Sequence, residues 1–212
     1  MTTPYLPQTM SDIVVDLSHW EAQVDFVQAK TAGIAAVILK ATQGTGFLDP
    51  TFASRAVAAH AAGLLLGAYH FFDMSDPTAQ AGYFLATVAR TGIPMLMSLD
   101  FEPSTTNQMM ENDAAVFLST VKARVGSWPV LYTGRWDVAP AQPKFQQCAL
   151  WLAEYGSDPV CALGWSEWKL WQHTDGQIGS GVVPVPGIGR CDRNRFAGTV
   201  SQLGQWWLSP TP

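Results

Sequence analysis

The amino-acid sequence predicts an α/β barrel of about eight strands, and two observations favour this fold class. Short apolar runs recur along the whole chain, and stretches with helical character separate the first of them. No segment with a different strand pattern interrupts this repeat. The alternative is an open doubly wound sheet, which the absence of a GxGxxG loop or a P-loop after the first run disfavours.

The first half of the chain contains short apolar runs without strict alternation, which are typical of strands covered on both faces. These runs lie at residues 13–15, 35–39, 64–68 and 95–99. Helical stretches lie between them at residues 24–32, 50–62 and 77–91, and each is followed by a glycine at the expected C-cap position. This order predicts parallel strands that are joined by helices.

The second half of the chain continues the strands but contains fewer helices. A fourth helical stretch at residues 107–125 ends before Gly126. Further strands are predicted at residues 130–133, 150–153, 169–172 and near 191–196. We therefore expect the final third of the barrel to lack full helices.

Composition and charge exclude several classes of function. Hydrophobic residues make up 48% of the 212 residues and charged residues 14%, a balance that is too apolar for a disordered chain. No apolar run is long enough to span a bilayer, so we expect a soluble protein without membrane insertion. The formal net charge is -5 and the chain has no cluster of lysine and arginine, which argues against nucleic acid as a partner.

The cysteines and the N-terminal segment carry little functional signal. Cys148, Cys161 and Cys191 are an odd number without CxxC spacing, so they indicate neither a zinc site nor a disulfide framework. One disulfide remains open, and buried or idle thiols are favoured over a catalytic role. The segment MTTPYLPQTMSD has neither the basic start nor the apolar core of a Sec signal.

Polar residues lie at or just beyond the ends of the predicted strands, where barrel enzymes have their active sites. In chain order these residues are Asp16, Lys40, Tyr69, His70, Asp100, Glu102, Tyr132, Glu154, Tyr155, Gln172, His173, Asp192 and Asn194. A single aspartate at a strand end is more often a turn or helix cap than a catalyst. Several acids at one mouth favour a catalytic site instead.

Asp100 and Glu102 are separated only by Phe101 and follow the apolar run at 95–99 directly. Residues two apart on an extended strand face the same side, with about 6.6 Å between their Cα atoms. Two carboxylates this close in a mouth of low polarity do not both ionise easily, so one is expected to keep its proton near neutral pH. A proton donor beside an anion is the arrangement that glycoside hydrolysis requires.

Aromatic residues also lie on or beside the strand ends, where flat apolar faces suit the stacking of sugar rings. They are Trp20, Tyr69, Phe71, Phe72, Tyr132, Trp151, Tyr155 and Trp171. We expect about half of them to belong to the core, because aromatic side chains fill interiors as readily as sites.

Seven short motifs carry a family resemblance. They are DLSHW at 16–20, KATQGTGFLDPTF at 40–52, AAGLLLGAYHFF at 61–72, LDFE at 99–102, PVLYTG at 129–134, LWLAEY at 150–155 and LWQHTDG at 170–176. In order and spacing the chain resembles glycoside hydrolase family 25, the Chalaropsis-type lysozymes, from about residue 13 to 196. Two positions depart from the family pattern: Gln43 stands where glutamate is common, and Arg193 where an aliphatic residue is usual.

The resemblance implies a modified TIM-like barrel of five βα units followed by three strands. Residues 13–212 would form a single catalytic domain after an N-terminal extension at 1–12. The implied activity is hydrolysis of the β-1,4 bond between N-acetylmuramic acid and N-acetylglucosamine in peptidoglycan, by a monomer without metal or cofactor. Such an enzyme would be made in the cytoplasm without a Sec signal. It would act at the cell wall or periplasm after release by a holin, as in a phage endolysin, or by a dedicated secretion system.

The family's acidic residues correspond to Glu102, Asp100, Asp16 and Asp192. The resemblance implies that Glu102 is the general acid and then the base. Asp100 would hold the acetamido group that serves as internal nucleophile, with retention, while Asp16 and Asp192 would shape the field. The expected substrate contacts at the same strand ends are Lys40, Tyr69, His70, Tyr132, Trp151, Tyr155 and Gln172.

Two alternatives to a muramidase follow from the same barrel. A chitinase-like hydrolase would carry the run DxxDxDxE, which requires aspartates at 95 and 98, where this chain has Met95 and Ser98. A non-catalytic glycan-binding barrel would keep the fold without the chemistry, and the presence of all four acids disfavours it.

Overall fold

The computed structural model describes residues 4–103, 108–138, 145–156, 159–162 and 164–212. The strands in these ranges are β1 (Ser11–Leu17), β2 (Ala36–Gln43), β3 (Phe47–Leu48), β4 (Leu65–Phe71), β5 (Leu96–Asp100), β6 (Val130–Gly134), β7 (Leu150–Ala153), β8 (Leu170–Thr174) and β9 (Asp192–Phe196). The helices described are α1 (Phe26–Thr31), α2 (Phe52–Ala61), α3 (Pro77–Ala89), α4 (Gln108–Val125) and α5 (Val200–Leu208). The first residue of the helix predicted at 107–125 lies outside the described residues.

Eight strands form a closed barrel in the order β1, β2, β4, β5, β6, β7, β8, β9, and β9 returns to β1. The short strand β3 only extends β2 as an antiparallel hairpin. The first seven barrel strands, β1, β2 and β4 to β8, run parallel to one another. Helices α1 to α4 follow the first four barrel strands, and the described residues of the later part are poorer in helix. The predicted fold class is confirmed.

The last strand, β9, runs antiparallel to both β1 and β8. Asp192 is the first residue of β9, and the prediction that this strand ends in Asp192 and Asn194 is wrong. The reversed direction still brings Asp192 to the mouth, because the start of β9 lies beside the ends of its parallel neighbours. In this register Asp16 is directly opposite Asp192.

Strand residues alternate between two apolar layers, as the two-residue period of a strand requires. Val14 and Ile38 belong to the cluster inside the barrel, whereas their neighbours Val15 and Leu39 belong to the cluster between the strands and helices α1 to α4. Residues near the mouth follow the same alternation. It therefore decides which side chains at a strand end face the site.

Helix α5 was not predicted from the sequence, and it closes the end of the barrel opposite the mouth. Thr199 and Gln202 form a capping box at its start. Trp206 and Trp207 join the cluster inside the barrel, and the Trp207 indole nitrogen donates to the Leu66 carbonyl at 2.7 Å. The T-x-x-Q pattern at 199–202 followed by apolar residues is the signal that identifies this helix.

The N-terminal segment packs on the barrel before β1 begins. The Tyr5 ring meets the Trp168 ring edge-on at 5.9 Å, and its hydroxyl donates to Glu167 Oε2 at 3.0 Å. The Trp168 indole nitrogen donates to the Tyr5 carbonyl at 2.9 Å. Strand β1 begins at Ser11, inside the predicted extension of residues 1–12. The division into an extension and a single catalytic domain stays a prediction.

Arg193, the departure from the family pattern, joins the last strand to the first. Its Nη2 lies 3.0 Å from Asp12 Oδ2, and its Nε donates to Asp12 Oδ1 at 3.3 Å. The buried His173 on β8 lies 3.3 Å from the same Asp12 carboxylate. Burial raises the pKa of Asp12, but His173, Arg193 and Arg195 together outweigh burial and lower it. Three strands therefore meet at one carboxylate.

Arg193→Met is expected to destabilise the protein at pH 7 by about 1 kcal/mol, a decrease of about 2–4 °C in melting temperature. A lowered folded-state pKa gives stability above the unfolded-state pKa and loses it as pH falls through the folded value. The deficit should therefore shrink below about pH 4, as Asp12 takes up a proton. Thermal unfolding at pH 7 and pH 3 tests this, with the exposed Arg190→Met as control. A deficit of equal size at both pH values would contradict it.

Candidate active site

The barrel mouth contains a cleft with a volume of about 290 Å³. Its lining residues are Asp16, Ser18, Trp20, Lys40, Tyr69, Phe71, Asp100, Glu102, Tyr132, Trp151, Tyr155, Gln172, Asp175 and Asp192. Every site residue predicted from the sequence lines this cleft except His70. Of the aromatic residues at strand ends, Phe72 and Trp171 belong to the core instead.

His70 is the one predicted substrate contact that the structure places elsewhere. It lies between Tyr69 and Phe71 on β4, so the strand alternation turns it away from the cleft. Its Nδ1 is 2.7 Å from Thr42 Oγ1, its Nε2 is 3.0 Å from Gln80 Oε1, and the side chain is buried. Burial lowers its pKa to about 4. His70 is a core residue, and we leave it out of the site.

Asp16 is buried at the end of β1 and held by two amides. Asn194 Nδ2 donates to Asp16 Oδ2 at 2.7 Å, and Gln172 Nε2 lies 3.2 Å from both carboxylate oxygens. The Trp151 indole nitrogen donates to Asn194 Oδ1 at 2.6 Å and so orients that amide. The sequence pattern placed Asn194 at a strand end but did not indicate a function for it. Its function is to fix the Asp16 carboxylate.

Two tyrosines orient the second amide. The hydroxyls of Tyr132 and Tyr155 donate to Gln172 Oε1 at 2.8 Å and 2.9 Å. The oxygen of the Gln172 amide therefore points to the tyrosines, and its nitrogen points to Asp16. A hydrogen-bond network in which each partner is satisfied holds its members in one arrangement.

Asp16 and Asp192 share a hydrogen bond across the β1–β9 pair. Burial raises the pKa of Asp16 to about 6, although Asn194, Gln172 and Asp192 donate to it and limit the rise. Burial and the adjacent charge of Asp16 raise the pKa of Asp192 to about 9. At neutral pH Asp192 is therefore protonated and donates to an ionised Asp16.

Asp192→Asn is expected to raise stability at pH 8, because the asparagine amide donates to Asp16 without carrying an acid. A raised folded-state pKa gives stability that is complete below the unfolded value and is lost as pH rises toward the folded value. The gain should be absent near pH 3.5 and reach about 1 kcal/mol or more at pH 8, an increase of about 2–4 °C in melting temperature. Asp113→Asn on α4 is the control. A gain at pH 3.5 equal to that at pH 8 would refute this explanation.

Asp100 and Glu102 lie on the opposite side of the cleft. Asp100 is buried, and its Oδ1 has no hydrogen-bond partner among the described residues, whereas Glu102 is exposed at the rim. Burial and the charge of Glu102 raise the pKa of Asp100 well above its usual range. Burial and the charge of Asp137 also raise the pKa of Glu102, although the nearby Tyr132 hydroxyl opposes part of this rise. The pair therefore keeps one proton at pH values at which two isolated carboxyl groups would both be ionised.

Lys40 brings a positive charge to this pair. Its ammonium lies 4.9 Å from the Phe71 ring centre and 5.5 Å from that of Phe47, and it donates to Gln43 Oε1 at 2.9 Å. Burial lowers the pKa of Lys40, although Asp100 and other acids oppose this effect. Because its hydrogen-bond partner Gln43 is neutral, the positive charge of Lys40 is not compensated there and acts on Asp100 and Glu102.

Asp137 is a charged residue near the pair that sequence reasoning missed. It lies in the loop after β6, where its Oδ2 accepts from the Gly134 amide at 2.8 Å. Its charge raises the pKa of both Asp100 and Glu102. A search confined to strand ends does not select loop residues. The only local signal for Asp137 is the tight turn that begins at Gly134.

Other groups contribute no second reactive centre in the part of the chain that the structure describes. Cys148, Cys161 and Cys191 are free and buried, and burial raises the pKa of each thiol to about 12. Within the described ranges, no group of three or more His, Cys, Asp or Glu is arranged to hold a metal ion. The helices described there include none that is long and apolar enough to cross a membrane.

Comparison with known proteins assigns the family. The model of glycosyl hydrolases family 25 matches residues 15–182, a range that includes Asp16, Asp100 and Glu102. The chain belongs to glycosyl hydrolase family 25. Asp192 lies beyond the matched range, but β9 carries it to the same cleft. The resemblance found in the seven motifs is confirmed, and the protein is a glycoside hydrolase.

Relatives within family 25 cover most of the chain. Lysozyme M1 of Streptomyces globisporus is 32% identical over 89% of this chain and 69% of its own. The N,O-diacetylmuramidase of Chalaropsis sp is 31% identical over 76% of this chain and 86% of its own. The muramidase of Trichobolus zukalii has a similar structure, with a TM-score of 0.78, 29% identity and coverage of 93% and 99%. The bacterial lysozyme of Streptomyces coelicolor gives a TM-score of 0.76 at 27% identity, with coverage of 93% and 98%.

Proposed function

We propose that this family 25 hydrolase is a muramidase that cleaves the β-1,4 bond between N-acetylmuramic acid and N-acetylglucosamine in peptidoglycan. The observation that carries the proposal is that Asp100 and Glu102 line one cleft together with aromatic side chains. Relatives at about one third identity bear the names lysozyme and N,O-diacetylmuramidase, which supports the same substrate.

Glu102 acts as the general acid in the proposed mechanism. It stands exposed at the rim, where it reaches the glycosidic oxygen of a bound strand and transfers its proton as the C1–O bond breaks. The acetamido oxygen at C2 attacks C1 from the other face and forms a cyclic intermediate. Glu102, now ionised, takes a proton from water, which opens the ring at C1 with overall retention.

Asp100 positions the internal nucleophile. Its buried Oδ1 lacks a protein partner and is available to accept the acetamido N–H, which orients the acetamido oxygen toward C1. In the free protein burial and the charge of Glu102 favour a proton on Asp100. In the proposed complex the positive charge that develops on the acetamido group favours the ionised form of Asp100, so the proton of the pair lies on Glu102 and the negative charge on Asp100 stabilises the acetamido group. The ionised Asp16, held by two amides and Asp192, places a further negative charge beside the cleft.

Mass analysis of the soluble fragments from digested peptidoglycan tests the proposal directly. A muramidase leaves reducing-end muramic acid, which borohydride reduction marks. Reducing-end glucosamine or freed peptides would overturn the assignment. Proton NMR of the first product anomer tests retention separately.

Two outcomes would favour the alternatives. Release of reducing ends from chitin but not from peptidoglycan would identify a chitinase-like enzyme. Binding to peptidoglycan without any clearing of a turbid cell-wall suspension would identify a glycan-binding barrel. Of the chitinase-type run this chain keeps only Asp100 and Glu102, since Met95 and Ser98 stand at the other two required aspartates.

The substrate sets the proposed place of action, which is the cell wall or periplasm, for an enzyme that acts as a monomer. Release by a holin or by a dedicated secretion system belongs to the same proposal. The genes beside this one distinguish a phage lysis cassette from a secretion locus. Size-exclusion chromatography with light scattering tests the monomer.

A further inference from the structure

Trp20 is exposed to an unusual degree for a tryptophan that lines the catalytic cleft. The side chain is 80% exposed, in the loop that follows β1. Its indole adds nothing to the core, and leaving a large apolar ring in water forgoes the stabilisation of about 1.5–3 kcal/mol that burial of a large side chain gives. Stabilisation of the fold therefore does not explain why a tryptophan stands at this position.

The loop that carries Trp20 is fixed on both sides. The buried Arg55 of α2 donates through Nη1 to the Ser18 carbonyl and through Nη2 to the Glu21 carbonyl. The Ser18 amide donates to Glu21 Oε2 at 2.7 Å. The backbone on each side of Trp20 is thus held in one conformation, and the exposed indole is presented by an ordered loop.

The ring of His19 packs against the Trp20 indole. The ring centres of His19 and Trp20 are 4.7 Å apart, with an angle of 34° between their planes. The backbone amide and Nδ1 of His19 both lie 2.9 Å from Oδ2 of Asp49, whose side chain is fully buried. The partly exposed Phe47 lies 5.6 Å from the His19 ring. His19, Trp20 and Phe47 form one aromatic shelf.

The chemistry of the surroundings selects the ligand that fits this shelf. A flat apolar face with polar groups at its edge suits a sugar ring, whose C–H face stacks while its hydroxyls form hydrogen bonds. Asp16, Asp175 and Glu21 give the nearby cleft a negative charge, which disfavours the carboxylates of peptide stems. A neutral saccharide unit is therefore the better occupant.

We propose that the aromatic shelf is a stacking subsite for a saccharide unit beyond the two that flank the scissile bond. The protein then binds long glycan strands more tightly than short ones. This inference rests on the proposed function, because it takes the peptidoglycan glycan strand as the substrate. Trp20 serves as a binding residue in it, and His19 and Asp49 serve as positioning residues.

The test compares soluble glycan strands of two lengths, disaccharide dimers and chains of four or more disaccharides. For Trp20→Ala, the ratio of kcat/KM on long to short strands should fall about tenfold relative to the unchanged protein, through a rise in KM on long strands. Trp20→Phe should retain most of the length preference, since it keeps an aromatic face. Circular dichroism confirms that each variant is folded.

Trp136 provides the matched control. It is also highly exposed, at 68%, but it is not among the residues that line the cleft. Trp136→Ala should keep the length ratio of the unchanged protein. If Trp20→Ala and the active, unchanged protein have the same ratio of kcat/KM on long to short strands, the stacking subsite is refuted while the proposed muramidase activity stands. No hydrolysis of either strand by the unchanged protein would instead overturn the proposed function.

Discussion

Glu102→Gln is expected to slow peptidoglycan hydrolysis by about 10²- to 10⁴-fold, the usual contribution of a general acid. Glutamine keeps the size of the side chain but has no proton to transfer to the leaving oxygen. Because Glu102 is exposed at the rim, the substitution leaves the core unchanged and the melting temperature should stay near that of the unchanged protein. The initial rate of clearing of a cell-wall suspension measures the loss.

Glu167→Gln is the matched control for this experiment. Glu167 precedes β8, at the end of the barrel away from the mouth, and bonds Tyr5 and Lys169. The same chemical change there should leave the rate unaltered. A Glu102→Gln variant that clears cell walls at close to the full rate would remove Glu102 from the role of general acid.

Asp100→Asn is expected to reduce the rate by about 10²-fold or more, since it removes the charge that stabilises the developing acetamido cation. It should also change the pH dependence of the residual activity. In the unchanged protein the last proton leaves a coupled pair, and repulsion between the two carboxylates delays that loss to higher pH. Without the second carboxylate Glu102 loses its proton at lower pH. The alkaline limb of the pH–rate profile should therefore move toward acid.

Asp137→Asn separates the effect of charge from the effect of position. Asp137 also raises the pKa of Glu102, but it does not line the cleft. Its replacement should move the alkaline limb in the same direction with much less loss of rate.

For Asp100→Asn itself, an alkaline limb that moves toward alkali would show that the carboxylates of Asp100 and Glu102 do not interact electrostatically.

Local rules were sufficient to predict most of the mouth. Asp16, Asp100 and Glu102 could be placed there because apolar runs fix where strands end and parallel strands end at one rim. The two-residue period also brings Asp100 and Glu102 to one side, with Phe101 in the core. The same period, applied to Tyr69 and His70, would have removed His70 from the site.

The remaining features depend on long-range pairing, which no local pattern specifies. The direction of β9 is set by closure against β1 and β8, and the apolar pattern of five residues is the same in either direction. The role of Asn194 follows from that direction, because it brings the amide to Asp16 and Trp151. Asp137 lies in a loop whose path is set by the barrel, and no strand pattern reaches it.

The return of β9 to β1 also bears on how the protein is made. Asp16 appears early in translation, but the amides that hold its carboxylate belong to residues 156 and 178 positions later, and β9 itself completes the ring. Domains fold as units as the chain leaves the ribosome, and here the unit lacks its last wall until residue 196 has emerged. A nascent or prematurely terminated chain therefore has the acids but no site. The cleft is therefore complete only once β9 has been synthesised.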